Sequence, residues 1–187
     1  MFHDPSAYPF LAELEANWKQ VRAELDELEH DRFLAWPERD IYNFGWDVFG
    51  LHAYGKKLAE NCEKCPRTAE LVERIPGMTT AGFSRLVPGT HIKPHVGYTS
   101  AVLRCHLGVV VPLGCALRVG PETRSWKEGR CLLFDDCTEH EAWHWGVSAR
   151  VVLLVDFLRP QAGQRADALV CSAEVMEVLR KIGGTTH

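Results

Sequence analysis

The sequence predicts a mainly β fold, a double-stranded β-helix (jelly roll) with flanking α-helices at the N-terminus and the C-terminus. Three observations support this prediction. Six apolar segments of strand length follow Thr79 and are separated by turn residues. A helical apolar stripe precedes them, and a looser one follows them. We expect one domain, with a helical N-terminal support at 1–78, a jelly-roll core at 79–160 and a C-terminal helix at 161–187.

The N-terminal part contains helical and aromatic segments. Apolar residues in 9–29 recur every three or four positions, which is the period of one helix face. The segment 41–51 is aromatic, which favours one or two strands and makes Trp46 a candidate pocket wall. Pro66 is expected to begin a short helix that Pro76 and Gly77 end. The residues of the first stripe are Leu11, Leu14, Trp18, Val21, Leu25 and Leu28.

The β segments and the tail complete the prediction. Turn residues separate the strand candidates, for example Pro88-Gly89 and Gly120-Pro121. The tail over 165–182 carries apolar residues at loosely helical spacing. The strand candidates are 81–87, 101–113, 115–119, 130–135, 141–146 and 150–158.

Charge and composition exclude several classes of protein. The 187 residues carry a net charge of −4, and they include no basic cluster that would indicate a nucleic-acid partner. The N-terminus does not resemble a secretory signal, and no apolar run reaches the length of a membrane span, so we expect a cytoplasmic protein without a membrane partner. The seven cysteines are expected to be free thiols, and Cys62-x-x-Cys65 lacks further ligands for a zinc site.

The segment His140-Glu141-Ala142-Trp143-His144 matches the H-E-x-x-H pattern of zinc proteases. That pattern requires a helix, whereas the surrounding residues favour a strand. On a strand the two histidines would lie about 13 Å apart, which is too far for one zinc ion. A zinc metallohydrolase using His140, Glu141 and His144 is therefore kept as an alternative.

A second pairing joins His140 to His95. The position two residues after His95, where a two-histidine, one-carboxylate iron site would have its acid, is Gly97. Two imidazoles alone would leave more positions open for ligands on Fe(II). Arg150 begins a continuously apolar strand, where a buried guanidinium needs a carboxylate such as that of an acid ligand. We expect His95, His140 and Arg150 to converge at one mouth of the jelly roll.

These residues carry a resemblance to a known family. The segments SRLVPGTHIKPHVG, LRCHLGVVVP, WKEGR and CLLFDDCTEHEAW, with Arg150 ten positions after His140, are similar to the aspartyl/asparaginyl β-hydroxylases, which are Fe(II)- and 2-oxoglutarate-dependent oxygenases. The resemblance extends from about Gly45 to Pro160. It implies that His95 and His140 bind iron and that Ser84 and Arg150 hold the distal carboxylate of 2-oxoglutarate. It also implies that the cosubstrate pocket is completed by Trp46, Arg104, Cys105 and His106.

The resemblance implies a catalytic domain that uses Fe(II), 2-oxoglutarate and O2. It would hydroxylate an amino-acid or peptidyl (Asp/Asn-like) substrate and release succinate and CO2. Arg104 would be catalytic, steering a substrate carboxylate or holding the cosubstrate. Val102 stands where relatives acting on peptides place a second Arg, so the substrate class stays open. A halogenase and a non-catalytic barrel that binds a small acid are the remaining alternatives.

Overall fold

The computed structural model describes residues 1–29, 32–160 and 173–183, and it confirms the mainly β fold. The helices are α1 (Pro9–Ala16), α2 (Trp18–Asp26), α3 (Ala59–Lys64), α4 (Pro66–Glu73) and α5 (Ala173–Gly183). The strands are β1 (Phe2–His3), β2 (Leu34–Ala35), β3 (Trp46–Ala53), β4 (Lys56–Lys57), β5 (Met78–Leu86), β6 (His91–His95), β7 (Val102–Val110), β8 (Cys115–Val119), β9 (Glu122–Arg124), β10 (Cys131–Phe134), β11 (His140–His144) and β12 (Arg150–Leu158).

Two antiparallel sheets form the jelly roll. The larger sheet has the order β1-β10-β7-β12-β5-β3-β2, with β4 added beside β3. The smaller sheet has the order β6-β11-β8-β9. Strands that are distant in the sequence are neighbours in both sheets, so residues from separate segments meet between them.

One face of the larger sheet packs against helices and the other lines a pocket, as the residues of β12 show. Val151, Leu153 and Val155 belong to the apolar core that the sheet shares with helices α1 to α4. Arg150 and Leu154 alternate with them and line a pocket on the opposite face, towards the smaller sheet. Because successive side chains of a strand point to opposite faces, one strand serves both the core and the pocket.

The N-terminal region departs from the prediction in two ways. The stripe in 9–29 forms two helices rather than one, because the chain breaks at Asn17, whose side-chain amide donates to the Glu13 carbonyl at 2.8 Å. The support at 1–78 also contributes strands to the larger sheet: β3 corresponds to the strand predicted in 41–51, whereas β1 and β2 were not predicted. Strand β3 pairs with β5 along most of its length, so it belongs to the jelly roll.

The predicted strands after Thr79 are present, and β6 and the short β9 are additions that the sequence analysis did not predict. Strand β6 is the one that carries a candidate site residue. Lys93 and Pro94 gave this segment the appearance of a loop, yet it pairs with β11. The predicted C-terminal helix is confirmed for 173–183, and the remainder of that prediction, 161–172 and 184–187, lies outside the described residues.

None of the helices in the described part of the chain has the length and apolar character needed to cross a membrane.

Candidate active site

His95 and His140 lie side by side at the mouth of the jelly roll. His95 ends β6, His140 begins β11, and the two are register partners with ring centroids 4.2 Å apart. Each ring contacts, through Nδ1, the backbone carbonyl of the residue two positions earlier. His95 lies 2.8 Å from the Lys93 carbonyl, and His140 lies 2.9 Å from the Thr138 carbonyl. A carbonyl only accepts, so each Nδ1 carries the proton and each Nε2 keeps a lone pair. The two Nε2 atoms can therefore bind one metal ion.

Burial keeps His140 in the neutral form that a metal requires. The residue is 4% exposed, and burial, followed by the neighbouring His95, lowers its pKa to about 3. No proton then competes with a metal for His140 at physiological pH.

The alternative zinc motif lies on strand β11 rather than on a helix. His144 is fully buried, and its Nε2 contacts the Ser148 carbonyl. The Glu141 carboxylate, which would be the base of a protease, is held by Arg118 and His91. His144 and Glu141 are therefore engaged in hydrogen bonds with residues other than His140.

A pocket lies behind the histidine pair, between the two sheets, with a volume of about 370 Å³ that includes its opening to solvent. Arg150 is 1% exposed there, its Nη1 donates to the Ser84 carbonyl at 3.2 Å, and its Cζ lies 4.4 Å from the Trp126 ring centroid. No carboxylate within the described residues pairs with Arg150. Burial lowers the pKa of Arg150 to about 9, so the guanidinium is still charged at neutral pH. This cation needs an acidic ligand.

Further polar groups surround Arg150. The Trp46 indole donates to Ser84 Oγ at 3.0 Å, which leaves the serine hydroxyl hydrogen available to an acceptor. The Trp126 indole donates to His106 Nδ1 at 3.3 Å, so the proton of the neutral His106 ring is on Nε2. Burial, followed by the charge of Arg150, lowers the pKa of His106 well below its ordinary value.

Two buried donors in this pocket, His106 Nε2 and Arg150 Nε, have no hydrogen-bond partner within the described part of the chain. An unsatisfied buried donor costs about 1–3 kcal/mol, so both favour a ligand rich in acceptor oxygens. The donor set therefore fits a carboxylate.

The structure does not bring Cys105 to the pocket. It follows Arg104 on β7, and strand alternation turns it to the opposite face, where it is fully buried in the core beneath the helices. Cys105 contacts Cys131 in that core, which together with burial raises its pKa. The prediction that Cys105 binds the cosubstrate is therefore corrected.

Arg104 lies at the junction of the pocket and its mouth, and two carboxylates hold it. Its Nε and Nη2 each lie 2.8 Å from an oxygen of Asp156, and its Nη1 lies 2.6 Å from Asp136. Burial alone would lower the pKa of Arg104, but Asp136 and Asp156 raise it above the ordinary value. Arg104 is therefore a permanent cation whose charge these two acids balance.

Asp136 occupies the space next to Gly97. Its Oδ1 lies 3.4 Å from His140 Nε2, and a Cβ at position 97 would be only 1.8 Å from its Oδ2. Glycine is required at 97 because Asp136, from a different loop, fills the place of a side chain. A carboxylate is thus present beside the histidines, although it is not at the position where the sequence analysis looked for one.

The sequence analysis missed the roles of Trp126, Asp136 and Asp156. Asp156 had a detectable signal, since it is the single acid within the apolar run of β12. Asp136 lies in a turn-rich segment, where aspartate is common. Trp126 is surrounded by polar residues, so nothing local marks it as buried.

A separate group of candidate ligands comprises His52, Cys62 and Glu73. Glu73 already pairs with His52 at 3.1 Å and with Lys57 at 2.8 Å, which accounts for its charge. Cys65, the partner of Cys62 in the C-x-x-C sequence, is buried, and burial raises its pKa to about 12. These residues lie apart from the histidine pair.

Comparisons with known proteins identify the family to which the sequence is similar. The family model described as "Aspartyl/Asparaginyl beta-hydroxylase" matches residues 15–160. The ornithine lipid ester-linked acyl 2-hydroxylase of Rhizobium tropici is 38% identical over 169 residues, and human aspartyl/asparaginyl beta-hydroxylase is 38% identical over 157 residues. These matches cover 84% and 79% of the chain, but 60% and 21% of the two relatives, so the chain is shorter than either protein.

Solved structures agree in fold. A 2OG-Fe(II) oxygenase family oxidoreductase from Burkholderia pseudomallei matches with a TM-score of 0.54 at 11% identity, covering 75% of this chain and 77% of that one. A prolyl-4-hydroxylase from Pseudomonas putida matches with a TM-score of 0.52 at 15% identity, covering 80% and 98%. These likenesses show the jelly-roll fold, and the sequence matches show that the chain belongs to the aspartyl/asparaginyl β-hydroxylase family.

Proposed function

We propose that this protein is a dioxygenase that depends on Fe(II) and 2-oxoglutarate and hydroxylates a C–H bond. The observation that carries the proposal is the combination of two adjacent imidazoles with a buried guanidinium, in one pocket, that has no carboxylate partner among the described residues. Imidazole nitrogens suit Fe(II), and a guanidinium binds both oxygens of a carboxylate. Membership of a hydroxylase family supports the same conclusion.

Different residues of the site would bind the metal and the cosubstrate. His95 and His140 would hold Fe(II) through their Nε2 atoms, while Arg150, Ser84 and His106 would hold a carboxylate of 2-oxoglutarate. The bound iron and cosubstrate would supply the oxidation, in which O2, 2-oxoglutarate and R–H yield R–OH, succinate and CO2.

The surrounding residues orient these groups and keep water away. Trp46 fixes the Ser84 hydroxyl, and Trp126 fixes both the tautomer of His106 and the plane of Arg150. Apolar walls from both sheets, such as Leu117 and Phe134, exclude water from the cosubstrate.

The substrate is a separate question, because the named relatives differ in theirs. One relative is named for an acyl group of a lipid, and another for aspartyl and asparaginyl residues. An amino-acid or peptidyl (Asp/Asn-like) substrate is one proposal, and the next subsection argues for a different class. The zinc hydrolase is disfavoured by the contacts of Glu141 and His144, and the non-catalytic barrel by the paired Nε2 atoms of His95 and His140.

Metal analysis of purified variants tests the iron site. We expect about one Fe(II) per chain in the wild type, and at least a tenfold weaker affinity in His95→Ala and in His140→Ala, because each removes one of two protein ligands. His144→Ala is the matched control, and it should retain the metal since its ring contacts Ser148 instead. Zinc binding that depends on His144 would contradict the assignment.

A further inference from the structure

An apolar trough extends from the candidate active site along the inner face of the larger sheet. It encloses about 870 Å³, including its opening to solvent, and its floor comes from β3, β5 and β12. Val48, Leu58 and Leu154 line it from the sheet side, and Val175 and Val178 of α5 line it from the opposite side. The apolar character of these walls favours a hydrocarbon group over a polar one.

Two facing glycines make the floor of the trough flat. Gly50 on β3 is the register partner of Gly82 on β5, so neither strand raises a side chain at this point. A Cβ on Gly82 would lie 2.6 Å from the Phe49 carbonyl oxygen, so this position cannot accept a side chain. A Cβ on Gly50 would meet only the end of Leu58, at 3.0 Å, so Gly50 could carry a side chain that fills the trough.

The trough is continuous with the site. Ser84, Arg104 and Leu154 line both the trough and the cosubstrate pocket. Trp36 and Thr80 line both the trough and the mouth, the solvent-facing opening around His95. A chain lying in the trough would therefore present one end of itself to the histidine pair.

The protein groups at the mouth have an excess of negative charge, which Fe(II) and the doubly charged 2-oxoglutarate would together leave unchanged. Its described lining contains the carboxylates of Glu38, Asp136 and Asp156 against the guanidinium of Arg104, which the two aspartates share. Glu38 accepts hydrogen bonds from the Trp36 indole and the Tyr98 hydroxyl, and no described cation forms an ion pair with it. A cationic group is attracted to this opening, and an anionic one is repelled.

We propose that the substrate is amphipathic, with an aliphatic chain that lies in the trough and a cationic head group that lies at the acidic mouth. This inference deepens the proposed function and rests on it, since the mouth is defined by the iron site. The chemistry also disfavours a free acidic amino acid, because Arg104 is already neutralised by its two aspartates.

Calorimetric titration of the full-length, metal-free protein tests whether the trough binds an acyl chain. The probes are N-acyl lysinamides with acetyl, octanoyl or dodecanoyl chains, used below their micelle concentrations. We expect the affinity to rise about twofold to fourfold for each added methylene, as burial of a hydrocarbon chain predicts. N-dodecanoyl glutamate, which has the same chain and an anionic head, should bind about tenfold more weakly than the lysinamide.

Two substitutions test whether the acyl chain of the probe lies in the trough. Gly50→Leu fills the floor and should remove most of the chain-length dependence, whereas Thr123→Leu, on the exposed strand β9, should preserve it. Thermal unfolding checks that each variant folds. If Gly50→Leu does not fold, Val178→Glu places a charge on the opposite wall and should have the same effect.

The results separate this inference from the proposed function. Three outcomes would overturn the amphipathic substrate. The wild type could bind the probes with an affinity that does not depend on acyl-chain length, or the folded trough variants could keep the steep dependence of affinity on that length. The glutamate and lysinamide probes could also bind equally well. Succinate formation from 2-oxoglutarate by the iron-loaded protein is measured in parallel. Succinate without chain-length dependence leaves the oxygenase and removes the trough, whereas chain-dependent binding without succinate leaves the trough and removes the oxygenase.

Discussion

At the scale of single residues, the pocket contains a buried cation, Arg150, that has no carboxylate partner among the described residues. Arg150 is almost fully buried and meets an aromatic ring and a carbonyl rather than an acid. We predict that Arg150→Lys folds and retains iron but binds 2-oxoglutarate about tenfold to a hundredfold more weakly, a loss of about 1.4–2.8 kcal/mol. An ammonium cannot reproduce the planar, two-pronged contact of a guanidinium with a carboxylate.

Titration of 2-oxoglutarate against the iron-loaded variant measures this loss. Arg130→Lys is the matched control, since Arg130 is exposed and pairs with Glu15 at the surface. A half-saturation that is the same for Arg150→Lys and the wild type would remove Arg150 from the cosubstrate site.

A second residue-scale prediction concerns Asp156, which holds Arg104 through two hydrogen bonds of 2.8 Å. Asp156→Asn removes the charge of a buried partner and should destabilise the fold by about 3 kcal/mol, the lower end of the range for a broken buried pair, because Asp136 still pairs with Arg104. Urea unfolding monitored by tryptophan fluorescence gives the value. A change below about 0.5 kcal/mol, which is typical of a surface substitution, would show that the pair does not support the site.

At the scale of elements, the pairing of β6 with β11 assembles the histidine pair and brings two loops together. The Gly97 amide, after β6, donates to the Asp136 carbonyl at 2.8 Å, before β11. We predict that Gly97→Ala displaces the Asp136 carboxylate, because its Cβ would overlap Oδ2. The variant should lose about 1–3 kcal/mol of stability and most of the proposed oxygenase activity, measured as succinate formation.

Gly89→Ala is not a suitable control for this change, because Gly89 has a positive φ of 88°. Gly146 has close backbone neighbours and is also unsuitable. Ser148→Ala, in the loop between β11 and β12, is a better control because it also introduces alanine near the smaller sheet. If Gly97→Ala matches the wild type in both stability and activity, the close approach of Asp136 does not matter to the site.

The strands also decide between two motifs that share His140. Within β11, His140 and His144 are separated by three residues of an extended chain, so they cannot converge as they would on a helix. His95 reaches His140 only because β6 is an antiparallel neighbour of β11. Sheet topology, rather than closeness in sequence, therefore brings His95 and His140 together.

At the scale of the whole molecule, the fold class followed from local patterns. Alternating apolar segments and turn residues identified the strands after Thr79, since these signals act over a few residues. Strand β6 was missed because its Lys93 and Pro94 are typical of a loop, and only pairing with β11 stabilises it as a strand. The break at Asn17 was missed because the apolar stripe continues across it.

The candidate site was predictable in part for the same reason. His95, His140 and Arg150 have unusual types for their surroundings, so the sequence indicated them, and the structure places all three around one pocket. Asp136 could not be assigned, because its closeness to Gly97 depends on two loops that meet only in the fold. Cys105 was misassigned because its neighbours Arg104 and His106 face the pocket while it faces the core.

Succinate formation by the iron-loaded protein tests the central claim most directly. We predict that the wild type converts 2-oxoglutarate to succinate and CO2 only when Fe(II) and O2 are present, and that His95→Ala and His140→Ala abolish this conversion while His144→Ala preserves it. Folding of each variant is checked by thermal unfolding. Failure of the iron-loaded wild type to form succinate from 2-oxoglutarate in the presence of O2, or undiminished succinate from a folded His95→Ala variant, would contradict the account.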